Sequence, residues 1–265
     1  MAKIAYLILL GAVLMMVYIK YIESRAVFFP EKKIEFTPLE FNLPFEDVVF
    51  NTQDGLKLNG WFIAQSNAKY TLLFFHGNAG NIGHRLEKLL ALRSSGTDIF
   101  IIDYRGFGKS GGRVSEKGVY LDARAAYDYL VENRHIPPGQ IILYGESLGT
   151  AVAIDLAAQG KVKAIIVEGG FSRGRDMAAR MYPFLPHFLF SDSYNSLEKI
   201  EKIEVPKLFI HSRDDEVVPL ELARKLYHAS PSPKEFVELN GGHNSAFLDS
   251  QEKYISAINS FISNL

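Results

Sequence analysis

Short apolar runs alternate with helical periodicities along most of this chain. Residues 47–52 and 56–64 flank the turn Gln53-Asp54-Gly55, as the two arms of a β-hairpin would. Further strand-like runs fall at 70–75, 97–103, 140–144, 162–167, 207–211 and 234–239. They are short, rich in β-branched or aromatic residues and mostly continuous, the pattern of strands buried on both faces of a parallel sheet. Helical spacing fills 84–93, 116–133, 148–159, 220–229 and 250–262. A hairpin followed by alternating β and α units predicts an α/β domain, with a mostly parallel, doubly wound sheet that opens on an antiparallel hairpin.

Two stretches break the rhythm. Residues 170–205 are too long for an ordinary connection and carry Phe171, Met177, Met181, Tyr182, Phe184, Phe188, Phe190 and Tyr194. They predict a small helical cap whose aromatics either line an acyl-binding surface or bury the cap's own underside. Residues 195–202 then return as a polar helix before Pro206.

The other stretch is residues 4–19, sixteen positions without a charge, between Lys3 and Lys20. A membrane-spanning helix needs about 20 residues; Lys20 can snorkel, and Tyr18 and Tyr21 suit the interface. No small-residue cleavage site follows, so an uncleaved single-pass anchor over residues 1–25 is expected rather than a signal peptide or a buried helix. Lys20, Arg25, Lys32 and Lys33 outnumber Lys3 plus the amino terminus and favour a cytoplasmic domain. A short tail before a long domain is equally the layout of an exporting signal anchor, so the side of the membrane stays open. Pro30, Pro38 and Pro44 mark 26–45 as a linker, and 46–265 form the folded domain.

Composition narrows the function classes. Setting the first 45 of 265 residues aside leaves about 220, enough for one core. Lys plus Arg number 29 against 30 Asp plus Glu, so no basic excess points to nucleic acid. The absence of cysteine excludes a thiol nucleophile, a Cys-type zinc site and a disulfide framework.

Gly145-Glu146-Ser147-Leu148-Gly149 stands between the apolar run ending at Tyr144 and the helical run from Thr150. A G-x-S-x-G there reads as a nucleophile elbow, a sharp strand-to-helix turn that lifts a serine hydroxyl to where a base and a substrate can both reach it. The glycines remove Cβ atoms that would collide with the neighbouring strand and helix. By itself the pattern is weak, and the plain alternative is a small-residue turn between a buried strand and a helix; the other loops decide.

A serine needs a base, and the base needs an acid to orient it. His243, in Gly241-Gly242-His243, follows the last expected strand and so lies at the carboxyl edge of the sheet, where α/β proteins place their ligands. His84, His135, His187 and His228 fall on helix faces or loops without that placement, and His211 ends a strand, where packing explains it. The loop after 207–211 offers Asp214, Asp215 and Glu216 as acids in the chain order Ser, Asp, His; spacing does not separate Asp214 from Asp215. Glu168 is an outside candidate at the end of the preceding strand.

An oxyanion would need amide donors. Leu148, just after the serine, supplies one, and the small-residue loop His76-Gly77-Asn78-Ala79-Gly80-Asn81 supplies the other through the Asn78 amide. Gly106-Phe107-Gly108-Lys109-Ser110-Gly111-Gly112 mimics nucleotide-binding motifs. It lacks the upstream glycine of a P-loop, because Asp103 occupies that position, and lacks the helix opening of a dinucleotide site. Asp103-Tyr104-Arg105-Gly106 is expected to be a structural loop beside the active site, with no cofactor and no metal-ligand spacing in view.

These residues resemble the α/β-hydrolase superfamily, and within it the membrane-anchored bud-emergence-type hydrolases related to the eukaryotic α/β-hydrolase-domain depalmitoylases. The likeness runs from about Phe28 to the C-terminus and rests on Asp54-Gly55 with Gly60-Trp61-Phe62, 76–81, 103–108, 145–149, 215–219 and 241–244. It implies the α/β-hydrolase fold, with Ser147 as nucleophile, Asp215 rather than Asp214 as acid, and His243 as base. The expected protein is a membrane-anchored serine hydrolase that cleaves a carboxylic ester or thioester, its partner a small-molecule or lipid-like acyl substrate. The alternatives are an amidase or peptidase with the same triad, and a non-catalytic scaffold of the same fold.

Overall fold

The computed structural model describes residues 27–265 together with Lys3, Tyr6, Leu10, Gly11, Val13, Leu14 and Tyr18. An antiparallel hairpin of β2 (Glu46–Asn51) and β3 (Lys57–Ile63) opens the domain, and β3 also runs antiparallel to β6 (Asp98–Asp103). From β6 the sheet continues in parallel through β4 (Thr71–Phe75), β7 (Ile141–Glu146), β8 (Ala164–Glu168), β9 (Lys207–Ser212) and β10 (Lys234–Leu239). The spatial order is β10-β9-β8-β7-β4-β6-β3-β2.

Side-chain alternation divides each central strand between two cores. Leu73, Phe75, Phe100, Ile102, Leu143, Ile165 and Phe209 face one, packed by α2 (Glu116–Asp128), α3 (Leu148–Gln159) and α6 (Leu220–Ala229). Leu72, Phe74, Ile101, Ile142, Ile166 and Ile210 face the other, covered by α1 (Leu86–Arg93) and the C-terminal α8 (Gln251–Ser263). Continuous apolar runs are therefore period-two strands with an apolar layer on both sides. Each fully buried Leu, Ile or Phe contributes about 1.5–3 kcal/mol, so the central strands are the rigid frame of the site.

Helix boundaries follow local chemistry. Pro219 precedes α6, and Ser115 caps α2 by accepting from the Gly118 amide. The helix expected at 84–93 begins as a turn over Ile82–Arg85, capped by the Asn81 side chain, before α1. Beyond α2 the backbone widens into a π turn over Tyr129–Asn133. The cap contains α4 (Gly174–Met181), a turn over His187–Leu189, and α5 (Ser196–Ile200). Gln251–Ser263 is preceded by the short α7 (Ala246–Asp249), directly after the His243 loop.

The proline-marked stretch before the hairpin lies fastened on the domain. A two-residue strand, β1 (Phe29–Pro30), pairs in parallel with β5 (Ala79–Gly80). Phe28 is buried edge-on to Phe107 and Tyr194, at ring distances of 6.2 and 6.3 Å. The carbonyls of Glu31 and Lys33 accept from Asn81 Nδ2, and Glu31 also accepts from the Gly108 amide. An extended, proline-punctuated chain keeps its carbonyls free for such donors, which is why linker composition also describes a docked strap.

The transmembrane helix expected at residues 4–19 lies mostly outside the described residues. Among the described residues no helix is long and apolar enough to cross a membrane. Tyr6, Leu10, Val13, Leu14 and Tyr18 are helical, with exposed side chains.

Candidate active site

Loops at the carboxyl ends of β4, β7, β8, β9 and β10 converge. At the end of β7, Ser147 adopts φ 52° and ψ −118°, a backbone conformation that a residue with a Cβ rarely takes. Its amide donates to the Glu168 carbonyl at 2.8 Å, which fixes the turn against β8. A Cβ on Gly149 would stand 2.0 Å from the Phe75 carbonyl oxygen, and one on Gly145 2.5 Å from Thr150 Cα. The elbow exists because both flanking positions lack that atom.

The three consecutive acids of the β9 loop all serve the histidine loop, each differently. Asp214 Oδ2 accepts from the Gly241 amide at 3.2 Å, and Glu216 Oε2 from the His243 amide at 2.9 Å. Asp215 alone reaches the imidazole, with Oδ2 2.7 Å from His243 Nδ1. Its Oδ1 accepts from the amides of Val217 and Val218 at 2.9 and 2.7 Å, so the carboxylate is held on both oxygens. On the far side of the ring, His243 Nε2 stands 2.9 Å from Ser147 Oγ.

An ionised carboxylate only accepts, so Nδ1 carries the proton and Nε2 is left to accept from the serine hydroxyl. Burial opposes ionisation of Asp215, but its hydrogen bond to His243, the imidazole charge and the two valine amides outweigh burial and hold its carboxyl below the usual range. Burial also disfavours charged His243; its bond to Asp215 and the charges of Asp215, Glu146 and Glu168 win, and its pKa is raised. His211, behind Asp215, donates from Nε2 to the Val218 carbonyl at 2.8 Å. Burial pushes its pKa down, so it props the acid loop as a neutral ring.

The Gly77–Asn78 loop lies against the serine: a Cβ on Gly77 would be 3.5 Å from Ser147 Cβ. Among the described residues no protein acceptor takes up the amide of Asn78 or of Leu148. The rest of Asn78 is tied to the strap, with Nδ2 donating to the Val27 carbonyl at 2.7 Å and its own carbonyl accepting from the Phe29 amide at 2.9 Å.

Glu168, the outside candidate for the acid, is bonded within a buried network and, among the described residues, not to the histidine. It accepts from Lys88 Nζ at 2.7 Å and is bonded to the Tyr144 hydroxyl, with Tyr254 beside both. Lys88 also stands 2.7 Å from Glu146, whose other oxygen accepts from Arg85 Nε at 2.7 Å and from the Gly77 amide at 3.3 Å. Two cations thus support the residue before the serine, and through it the Gly77 loop. Nothing in the sequence pointed to Lys88, since a lysine in a helix ordinarily faces water.

Residues 103–106, expected to be a structural loop, are tied into the domain by their side chains. Arg105 bridges Asp122 and Asp54 at 2.8 Å each, and the Tyr104 hydroxyl donates to the His76 carbonyl at 2.9 Å. The cap's aromatics divide. Phe171, Phe190 and Tyr194 are buried under it, while Met181, Tyr182, Phe184 and Phe188 are exposed. Among the described residues no cluster of three His, Asp or Glu side chains is disposed to hold a metal ion.

A parallel sheet with a strained serine elbow, a histidine and a carboxylate on successive carboxyl-end loops defines the serine hydrolases of the α/β-hydrolase fold. The chain belongs to the α/β-hydrolase superfamily and is a serine hydrolase. The family described as serine aminopeptidase, S33, matches residues 66–192, and the serine hydrolase (FSH1) family matches residues 142–252. The chain is 34% identical to the alpha/beta hydrolase domain-containing protein WAV2 of Arabidopsis thaliana, across 84% of this chain and 80% of that one. To protein bem46 of Schizosaccharomyces pombe it is 38% identical, across 69% of this chain and 64% of that one. Among solved structures, an esterase of Pyrococcus furiosus superposes with a TM-score of 0.74 over 90% of this chain and 98% of that one. Its 23% identity speaks for the fold alone.

Proposed function

We propose that the protein is a membrane-anchored hydrolase that cleaves carboxylic esters or thioesters through an acyl-enzyme on Ser147. The observation that carries this is the unbroken relay from Ser147 Oγ to His243 Nε2 at 2.9 Å and from His243 Nδ1 to Asp215 Oδ2 at 2.7 Å. His243 takes the hydroxyl proton as Ser147 Oγ bonds to the acyl carbon, and the carbonyl electron pair moves onto oxygen. The Leu148 and Asn78 amides, uncommitted to protein acceptors, donate to that oxyanion. Collapse breaks the bond to the alcohol or thiol, which leaves with the proton from His243. Water, deprotonated by the same ring, then releases the acid and restores the serine. Asp215 stays ionised throughout and holds the ring in the useful tautomer.

The anchor reading is supported by the uncharged run at 4–19 with the exposed Tyr6, Leu10, Val13, Leu14 and Tyr18. Labelling the detergent-solubilised full chain with a fluorophosphonate probe, beside Ser147→Ala, tests the nucleophile; label that persists without Ser147 refutes it. A panel of p-nitrophenyl esters of rising chain length, acyl thioesters and aminoacyl amides tests the bond cleaved. Preference for the amides would replace the esterase reading with that of an amidase or peptidase.

A further inference from the structure

The cap ends in a tip that the domain does not cover. Phe184 and Phe188 are 96% and 80% exposed, Met181 64% and Tyr182 42%. Apolar side chains of this size, gathered within one short stretch, usually mark a surface with a partner. From Arg180 to Phe190 there is no acidic residue, and Arg180 is exposed at the near end. Phe with Tyr, Pro and an arginine is a composition suited to the boundary between headgroups and acyl chains.

The course of the chain says which partner lies within reach. From Lys20, at the end of the uncharged run, to Val27 there are seven residue-to-residue steps, which span at most about 25 Å when extended. Val27 is fixed to the candidate oxyanion loop through Asn78 Nδ2, and Phe28 packs on Tyr194, where the cap returns to the domain. At its other root the cap leaves from Gly169-Gly170, and a Cβ on Gly169 would be 3.3 Å from His243 Cε1. A bilayer holding residues 4–19 is therefore tethered close to the cap and to the relay.

We propose that Met181, Tyr182, Phe184 and Phe188 dock the cap tip into the surface of the lipid bilayer that holds the N-terminal segment. The proposal rests on the anchor reading above. The tip is a second membrane contact beside the first, and two contacts orient a domain where one only tethers it. The candidate site then opens toward the lipid, and acyl substrate reaches Ser147 from the membrane rather than from water.

The chain has a single tryptophan, the buried Trp61, so an added indole reports locally. Phe184→Trp and Phe188→Trp, each in the full chain, are reconstituted into vesicles of phosphatidylcholine with phosphatidylglycerol, and folding is checked by a parental thermal midpoint. The expected result is blue-shifted emission from the new indole and quenching by phosphatidylcholine brominated on its acyl chains. Solvent-like emission overturns the proposal. A blue shift without bromolipid quenching also overturns it, because the tip is then covered by protein, either the N-terminal segment or a second copy. A chain that does not float with the vesicles overturns the anchor and the tip contact together, whereas a floating chain whose indole stays in water overturns the tip contact alone. Loss of Ser147-dependent probe labelling would sink only the hydrolase reading. Combining Phe184→Asp with Phe188→Asp is expected to lower turnover of a vesicle-embedded long-chain ester about tenfold, as loss of one of two membrane signals should. Turnover of a water-soluble short-chain ester is expected to stay unchanged, and equal effects on both substrates count against the proposal.

Discussion

The ammonium of Lys88 stands 2.7 Å from the carboxylate of Glu146, the residue immediately before Ser147. A second carboxylate, Glu168, lies at the same distance on its other side, and the Phe247 ring is 4.4 Å from the ammonium. Burial alone would lower the Lys88 pKa, yet the two carboxylates raise it; burial would raise that of Glu146, yet Arg85 and Lys88 lower it. The group is thus a charged, buried lattice that joins α1, β7, β8 and the Gly77 loop. Removing one partner leaves uncompensated buried charge.

Lys88→Met is accordingly expected to destabilise the protein by about 3–5 kcal/mol. In a domain of this size that lowers the thermal midpoint by about 6–20 °C. The effect depends on pH. A carboxyl whose folded pKa is lowered contributes stability above its unfolded value, here 4.5, and loses it as pH falls through the folded value. The difference between parent and Lys88→Met should therefore shrink on acidification below 4.5, as followed by urea unfolding across pH. A constant difference would mean that Lys88 acts by packing alone.

The raised pKa of His243 sets the acid limb of activity. The ring accepts the Ser147 proton only when neutral, so kcat/KM should fall as pH drops, with a midpoint above the ordinary 6.5. Stability runs the other way: what the raised pKa contributes is fully present below 6.5 and is lost as pH rises through the folded value. Asp215→Asn should lower kcat by about 10⁴-fold and move that limb downward. Asp214→Asn, at a carboxylate that accepts from the Gly241 amide, should change kcat less than tenfold. A pH–rate profile with a short-chain p-nitrophenyl ester checks all three, and a large loss at Asp214 would reassign the acid.

The glycines around Ser147 differ in what they exclude. A Cβ on Gly149 would meet the Phe75 carbonyl at 2.0 Å, whereas one on Gly77 would make ordinary contacts at 3.5 Å. Gly149→Ala should cost more than about 3 kcal/mol, because the obstacle is the backbone of β4 and cannot rotate away. Gly77→Ala should stay within about 1 kcal/mol of the parent, since nothing must shift. Circular dichroism melts of the two variants decide, and equal midpoints would show that the elbow yields more than its geometry suggests.

What the sequence made legible follows from how local each signal is. The strand runs, the Pro219 start of α6 and the elbow depend on neighbours within a few residues, and the residues at 148–159 and 220–229 are helical as their spacing requires. Asp214 and Asp215 could not be separated by spacing, because which of two adjacent carboxylates faces an imidazole depends on the direction of the chain as it leaves β9. Lys88 and Glu168 are 80 residues apart, and a buried ion pair leaves no periodicity to read. The pairing of Phe29–Pro30 with Ala79–Gly80 is two residues long, too short for any pattern to survive.

That short pairing makes the strap a candidate positioner of the oxyanion loop. Asn78 is held on both sides, by its Nδ2 bond to the Val27 carbonyl and by its own carbonyl to the Phe29 amide. Asn78→Ala removes the first and keeps the backbone amide that the proposed mechanism uses. If the strap sets where that amide points, kcat should fall by roughly 10-fold, less than the 10²–10³ of losing an oxyanion donor outright, while KM stays near the parental value. The thermal midpoint should drop only by what one side-chain hydrogen bond contributes, about 1 kcal/mol. Asn78→Asp keeps an acceptor but not the donor and should behave like the alanine variant. Asn78→Gln retains the donor group and should recover part of kcat if it reaches Val27. A parental kcat in Asn78→Ala would show that β5 and the Gly77 contact with Glu146 hold the loop without the strap.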